Sequence, residues 1–377
     1  MTTVLPIDGV IRPYDWGSTT YIQSMLGVDP DGRPAAELWF GDHPGDPSPA
    51  GDTTLDHVIA ADPAALLGEC YLRQFGPRLP FLVKVLAADR ALSMQVHPDL
   101  EQARAGFAAE EAAGVPRNAP ERNFVDPNHK PELLCALTPF DAVCGFRPVA
   151  ETLALLDALA IRELGFVADA LRGPDGLRAA FTAILTHPDP DVLSDAVAAR
   201  TDTHDALYPA AIAAHDFPGD VGVVLTLLLN HVRLQPGEAV FLGAGNVHAY
   251  LRGSGVEIMA SSDNVLRCGL TPKHIDVPEL LRITDFVELS EPVWASTTTK
   301  NGIHFAVPVS DFALTRIMVD DRTEVTAAGP RLVLCTHGKV RVADVDVLPG
   351  HAALVPAELA RATVTGSGTV FVATTGG

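Results

Sequence analysis

The chain has 377 residues, 47% of them hydrophobic and 20% charged, with a formal net charge of −20 at pH 7. That size and composition fit a soluble globular protein of two or three domains, and the acidic balance argues against a nucleic-acid partner, which needs a basic footprint. The longest apolar stretch, Val221 to Leu229, is broken by Gly222 and Thr226 and is too short to span a bilayer, and Asp8 interrupts any leader-like apolar start.

Residues 1–148 read mainly as short strands and turns. Phe81–Leu86 and Ala91–His97 are strand-like runs joined by a turn at 87–90, and Pro98-Asp99 ends the second. Residues 101–113 are rich in Ala and Glu and predict a helix, after which Pro131–Leu137 and Asp141–Phe146 return to strands. Residues 149–215 change character. Apolar positions recur at helical spacing (Leu153, Leu156, Leu159; Leu177, Ala180, Phe181, Ile184), punctuated by Gly173-Pro174 and Pro188-Asp-Pro190. Val221–Tyr250 again reads as strands, Pro278–Arg282 as a short helix, and 300–377 as strands with turns.

The segment around 236–276 carries the densest chemistry. Leu242 ends a strand, Gly243-Ala-Gly245 turns the chain, and His248 opens the next strand facing inward. With Gly237 ahead of it, this spacing resembles the second motif of cupin jelly rolls, although Gly243 stands where proline is usual. A fainter copy runs from Pro349 to Pro356, with Glu358 and Arg361 where a glycine and the histidine would fall. The expected fold is therefore mainly β with a helical insert. It comprises a catalytic cupin-type jelly roll (1–148 together with 221–290), a helical insert domain (149–220), and a degenerate C-terminal jelly roll without metal ligands (291–377).

Period two along a strand places Gln95 and His97 on one face, so both can reach one ion. Glu132 enters another strand just after His129-Lys130-Pro131, and His248 would complete a set of two imidazoles, a carboxylate and an amide oxygen. Such mixed nitrogen and oxygen donors suit Zn²⁺ or a similar divalent ion with an open position. Each residue alone reads more simply as a satisfied polar side chain; the combination carries the site. Five of the 27 cationic residues are lysines, and Lys84, Lys130 and Lys273 fall in these motif-rich segments. The five cysteines are scattered and odd in number, which fits reduced thiols in a cytoplasm.

Four ordered segments sharpen the picture: Ser93-Met-Gln-Val-His-Pro-Asp99, Asn128-His-Lys-Pro-Glu132, Gly245-Asn-Val-His-Ala-Tyr250 and Ala260-Ser-Ser-Asp-Asn-Val-Leu-Arg-Cys-Gly-Leu-Thr-Pro-Lys273. With Tyr14-Asp-Trp-Gly-Ser18 and Ala36-Glu-Leu-Trp39 they resemble the signature segments of type I phosphomannose isomerases, from about residue 10 to 286 and only weakly beyond. The resemblance implies zinc-dependent interconversion of mannose 6-phosphate and fructose 6-phosphate through a cis-enediol, in a cytoplasmic monomer with one zinc per chain. It implies Gln95, His97, Glu132 and His248 as zinc ligands and Arg267 as the active-site arginine. It also puts Ser93, Lys84 and Lys273 near the sugar phosphate.

A base must stand within reach of C2 with a pKa near working pH. Candidates are His129, Lys130, Asp263 and Glu257, with Lys130 and Asp263 ranked first. Lys130 is favoured because neighbouring His129 and burial would depress its pKa. Tyr250, two residues beyond His248 on its strand, could share the pocket, and Trp16 could wall it. The plainer reading of Arg267 is an ion pair with Asp263, four residues earlier. A non-catalytic sugar-phosphate-binding regulatory cupin is the alternative function. An iron-dependent cupin oxygenase is a third, disfavoured because such sites carry more histidines.

Overall fold

The computed structural model describes residues 3–376. Its largest sheet has 11 strands, and the long strand His248–Ala260 runs through its middle. The second half of this strand pairs antiparallel with Phe81–Ala88 on one side and Glu132–Ala136 on the other. Its first half pairs instead with Phe140–Phe146 and, at His248, with Met94–Val96. One strand thus serves both faces of a folded sheet, and it turns the corner at Gly253. The φ there is +121°, and a Cβ would lie 2.7 Å from the Pro139 carbonyl oxygen, so only glycine fits. The pairing register shifts between Tyr250 and Arg252, as a bulge at a sheet corner does.

Inside this folded sheet Leu86, Leu134, Phe140, Val240 and Leu242 form a buried apolar floor. Its outer face, through Val83, Val85, Leu133, Val256 and Ile258, packs on Leu332, Leu334, Leu354 and Phe371 of a second sheet of eight strands. The long antiparallel partners Ala313–Thr326 and Arg361–Thr374 lie in the middle of that second sheet, which has a valine-rich interior of its own. Helices from 149 to 225 cover the strands Met94–Val96, Phe140–Phe146 and Leu266–Gly269 through one shared core, and Phe181 and Ile184 are fully buried in it. The mainly β architecture with a helical insert expected from the sequence is the one that folds.

Three local differences have identifiable causes. The short strand Leu5–Asp8 leaves the first barrel and pairs with His351–Val355 of the second, with Ile7 buried between them. Residues 55–75 form three short helices where the sequence suggested strands and turns. Val221–Leu225 is helical, and strand begins only at Leu229. A short apolar run carries no period to separate the two forms. Here the Asp220 carboxylate caps the turn by accepting from the Gly222 N–H at 2.7 Å, and it also receives the Leu270 N–H at 2.7 Å.

Candidate active site

The strand pairing sets four side chains in a row. Cys144, His248, Gln95 and Arg267 stand opposite one another across neighbouring antiparallel strands, so they share a face. Glu132 comes from the far side of the fold, on the strand paired to the later part of the His248 strand. His97, Glu132 and His248 converge so that one donor atom from each lies within 4.8 Å of the others. His97 Nε2 is 3.3 Å from Glu132 Oε1, and His248 Nε2 is 3.6 Å from Oε2.

The two imidazoles are oriented in the same way. His97 Nδ1 donates to the Asn264 carbonyl at 2.8 Å, and His248 Nδ1 donates to the Asn246 carbonyl at 3.0 Å. With Nδ1 of each ring engaged by a carbonyl, Nε2 is the atom each ring offers, and both Nε2 atoms face Glu132. His97 Nε2 is buried with no hydrogen-bond partner among the described residues. Burial, then the Lys130 charge, pushes the His97 pKa down to about 4, so the ring is neutral. Burial opposes the charge on Glu132, but the Lys130 charge holds that carboxyl well below its usual range. A buried carboxylate between two Nε2 atoms fits a divalent cation and little else. Gln95 Nε2 donates to Ser93 Oγ at 3.3 Å, which leaves its amide oxygen to the same cleft.

Around this centre lies a buried ionic network. Lys130 Nζ is 2.9 Å from Glu132 Oε1. Lys84 Nζ sits 3.0 Å from Glu257 Oε2 and 3.5 Å from Glu37 Oε1. Burial alone would lower the Lys84 pKa, but Glu257 and Glu37 raise it above the ordinary lysine value. Burial raises the Glu257 pKa against the pull of Lys84. The Tyr250 hydroxyl is buried beside Glu257 but outside hydrogen-bonding geometry, and its pKa is raised by burial and by that charge. The cleft these groups enclose is narrow, about 50 Å³.

Several expected site residues stand elsewhere. The alternative reading of Arg267 as an ion-pair partner of Asp263 does not hold, because no such pair forms among the described residues. Arg267 has no carboxylate partner among the described residues, and burial lowers its pKa. The charge of Arg267, with burial second, lowers the pKa of Lys273, and Lys273 likewise has no carboxylate partner among the described residues. Asp263 instead faces His43, whose Nε2 is 3.3 Å from Oδ2. Burial works against the Asp263 charge, but His43 and the two buried lysines lower its pKa. His129 does not join the cluster. Its Nε2 contacts Asp311 Oδ2 at 3.1 Å, while Lys130 next to it turns inward to Glu132. The expected His129–Lys130 repulsion therefore has no basis, because successive side chains of an extended chain point apart. Trp16 stacks on Tyr14 at 5.7 Å and packs at the edge of the apolar floor, outside the cleft lining.

Sequence reasoning missed Glu37 and His43. Glu37 was legible, since period two puts it on the face of Trp39, whose Nε1 donates to Glu37 Oε2 at 2.7 Å. His43 follows the strand Glu37–Phe40 in a loop and carries no spacing signal.

Comparison with known proteins agrees with this geometry. Residues 4–149 match the family described as phosphomannose isomerase type I, catalytic domain. The mannose-6-phosphate isomerase of Escherichia coli is 39% identical over 95% of this chain and 96% of its own. That of Bos taurus is 36% identical over 75% of this chain and 73% of its own. The apo crystal structure of mannose 6-phosphate isomerase from Salmonella typhimurium superposes with a TM-score of 0.93 at 34% identity over the full length of both chains. A structure of mannose 6-phosphate isomerase bound with zinc and yttrium superposes with a TM-score of 0.93 at 33% identity, again over both full chains.

Proposed function

This chain belongs to the type I phosphomannose isomerase family, and on that premise we propose that it interconverts mannose 6-phosphate and fructose 6-phosphate through a cis-enediol, with one zinc ion per chain. The observation that carries the reading is the convergence of two Nε2 atoms on a buried carboxylate, next to a lysine–glutamate network. Gln95, His97, Glu132 and His248 would hold the ion, which when bound supplies Lewis-acid polarisation of substrate oxygens.

The remaining work falls to the chain's own groups. Arg267 and Lys273, lacking a counter-anion, are suited to the phosphate of the open-chain sugar. Glu257 lines the cleft with its pKa raised by burial, the direction a base working near neutrality needs, and Lys84 holds its carboxylate in place. It would take the proton from C2 and return it to C1. Asp263, with its pKa lowered, suits hydrogen bonding to a sugar hydroxyl better than proton abstraction. Lys130, bound to Glu132, would donate to the developing enediolate oxygen. The Glu257 assignment replaces the ranking of Lys130 and Asp263 as base.

The five cysteines are all free, which supports a reducing, cytoplasmic setting. No helix among the described residues is long and apolar enough to cross a membrane.

The test is a coupled assay with mannose 6-phosphate before and after chelation. Turnover should vanish with the metal and return with added zinc. A metal-replete preparation without turnover would leave the regulatory sugar-phosphate-binding cupin as the better reading.

A further inference from the structure

We propose that His43 is a positioning residue for the isomerisation, fixing the Asp263 carboxylate so that Oδ1 is left for a sugar hydroxyl. This rests on the reading of Asp263 as a sugar contact given above.

The geometry is specific. The His43 side chain is only 7% exposed, whereas that of Asp263 is 57% exposed. An exposed carboxylate rotates freely unless something holds it, and losing that freedom on binding costs affinity. The Asp263 backbone is already pinned, because its N–H donates to Asp126 Oδ2 at 2.8 Å. The side chain has one partner among the described residues, His43 Nε2.

His43 cannot turn away. Its Nδ1 accepts the Gly45 N–H at 3.2 Å, so the neutral ring carries its proton on Nε2, facing Asp263. Its ring meets Trp39 edge-on, with centroids 5.1 Å apart. Trp39 in turn is tied through Nε1 to Glu37, which contacts Lys84, and Lys84 Nζ lies 5.4 Å from the Trp39 ring centroid. A chain of contacts therefore runs from the buried Lys84 pair to the Asp263 carboxylate. The lowered pKa of Asp263, to which His43 contributes, agrees with a carboxylate kept ionised as an acceptor.

Two amides at position 43 separate positioning from bulk structure. In His43→Asn the amide oxygen stands near Nδ1 and can still accept from Gly45, but no donor reaches Asp263. In His43→Gln a donor reaches the place of Nε2. We expect His43→Asn to lower kcat/KM roughly ten- to hundredfold, the range for a lost hydrogen bond to a charged group, with zinc content unchanged. His43→Gln should recover most of the activity. Asp263→Ala should lower kcat/KM at least as much, and the double variant His43→Asn with Asp263→Ala should be no worse than Asp263→Ala alone.

Additive losses in the double variant would show that His43 acts independently of Asp263 and would overturn the proposal. So would wild-type kinetics in His43→Asn while Asp263→Ala is crippled. Wild-type kinetics in Asp263→Ala would remove the sugar-contact reading itself, and with it the positioning role. That outcome is distinct from an absence of isomerase activity in the unaltered enzyme.

Discussion

His97 reaches back through Nδ1 to the main-chain carbonyl of Asn264 at 2.8 Å, and Asn264 is itself completely buried. The Asn264 amide accepts the Val125 N–H at 2.8 Å and donates to the Asp126 and Asn128 carbonyls, both at 2.8 Å. One asparagine thus knits the 125–128 loop to the residue that sets the imidazole.

Replacing Asn264 with Ala should strand several buried polar groups and cost about 3 kcal/mol of stability. Because the carbonyl partner of His97 would also shift, zinc affinity should drop about ten- to hundredfold. Urea denaturation and a competitive chelator titration check the two effects separately. Loss of stability without loss of affinity would confine Asn264 to the fold.

Glu132→Gln removes the charge that both histidines and Lys130 face. The purified variant should carry little zinc. The buried Lys130 ammonium, left without its partner, should destabilise the protein by about 3 kcal/mol. Elemental analysis and denaturation report both. Full zinc occupancy would remove Glu132 from the ligand set.

Arg267→Ala should keep its zinc and stay folded, because no carboxylate is left unpaired by the change. Its kcat/KM should fall about a hundredfold, the scale of a lost charge-assisted contact. Inorganic phosphate should also inhibit it less than it inhibits the unaltered enzyme. Unchanged phosphate inhibition would exclude Arg267 from the phosphate contact.

Asp42 offers a test of stability against pH. Burial raises its pKa to about 6 from 3.8, even though it accepts the Leu79 N–H at 3.0 Å. A raised folded-state pKa on an acid means that the unfolded chain ionises first as pH rises. Stability is therefore lost progressively between about pH 4 and 6, and the full penalty stands above 6. Asp42→Asn keeps the acceptor for Leu79 and should gain up to about 3 kcal/mol at pH 8. The gain should shrink to about half by pH 5. A gain independent of pH would assign the effect to something other than ionisation.

Period two and helical spacing made the strand and helix faces legible. They placed Gln95 and His97 on one side, started a strand at His248, and marked Phe181 and Ile184 as core. What was not legible depends on pairing across the chain. Lys84 meets partners 47 and 173 positions away, and nothing near it in sequence announces either. Arg267 sits four residues from Asp263, which suggested an ion pair. Arg267, however, lies on an extended strand, Leu266–Gly269, while Asp263 lies in the loop before it and faces His43. The helix at Val221 depended on an Asp220 carboxylate that also caps a segment 50 residues later.

The strand Leu5–Asp8 pairs with His351–Val355, and 343 positions separate Asp8 from His351. Until residues 351–355 have been made, Ile7 has no sheet to enter, and that sheet lacks one of its edges. Closing so long a loop is slow because its entropic cost precedes the contacts that repay it. The growing chain must therefore carry an unpaired β-segment until its distant partner strand has been made. Deleting these few residues would leave the zinc ligands untouched but expose the edge of His351–Val355, an open template for association with another chain.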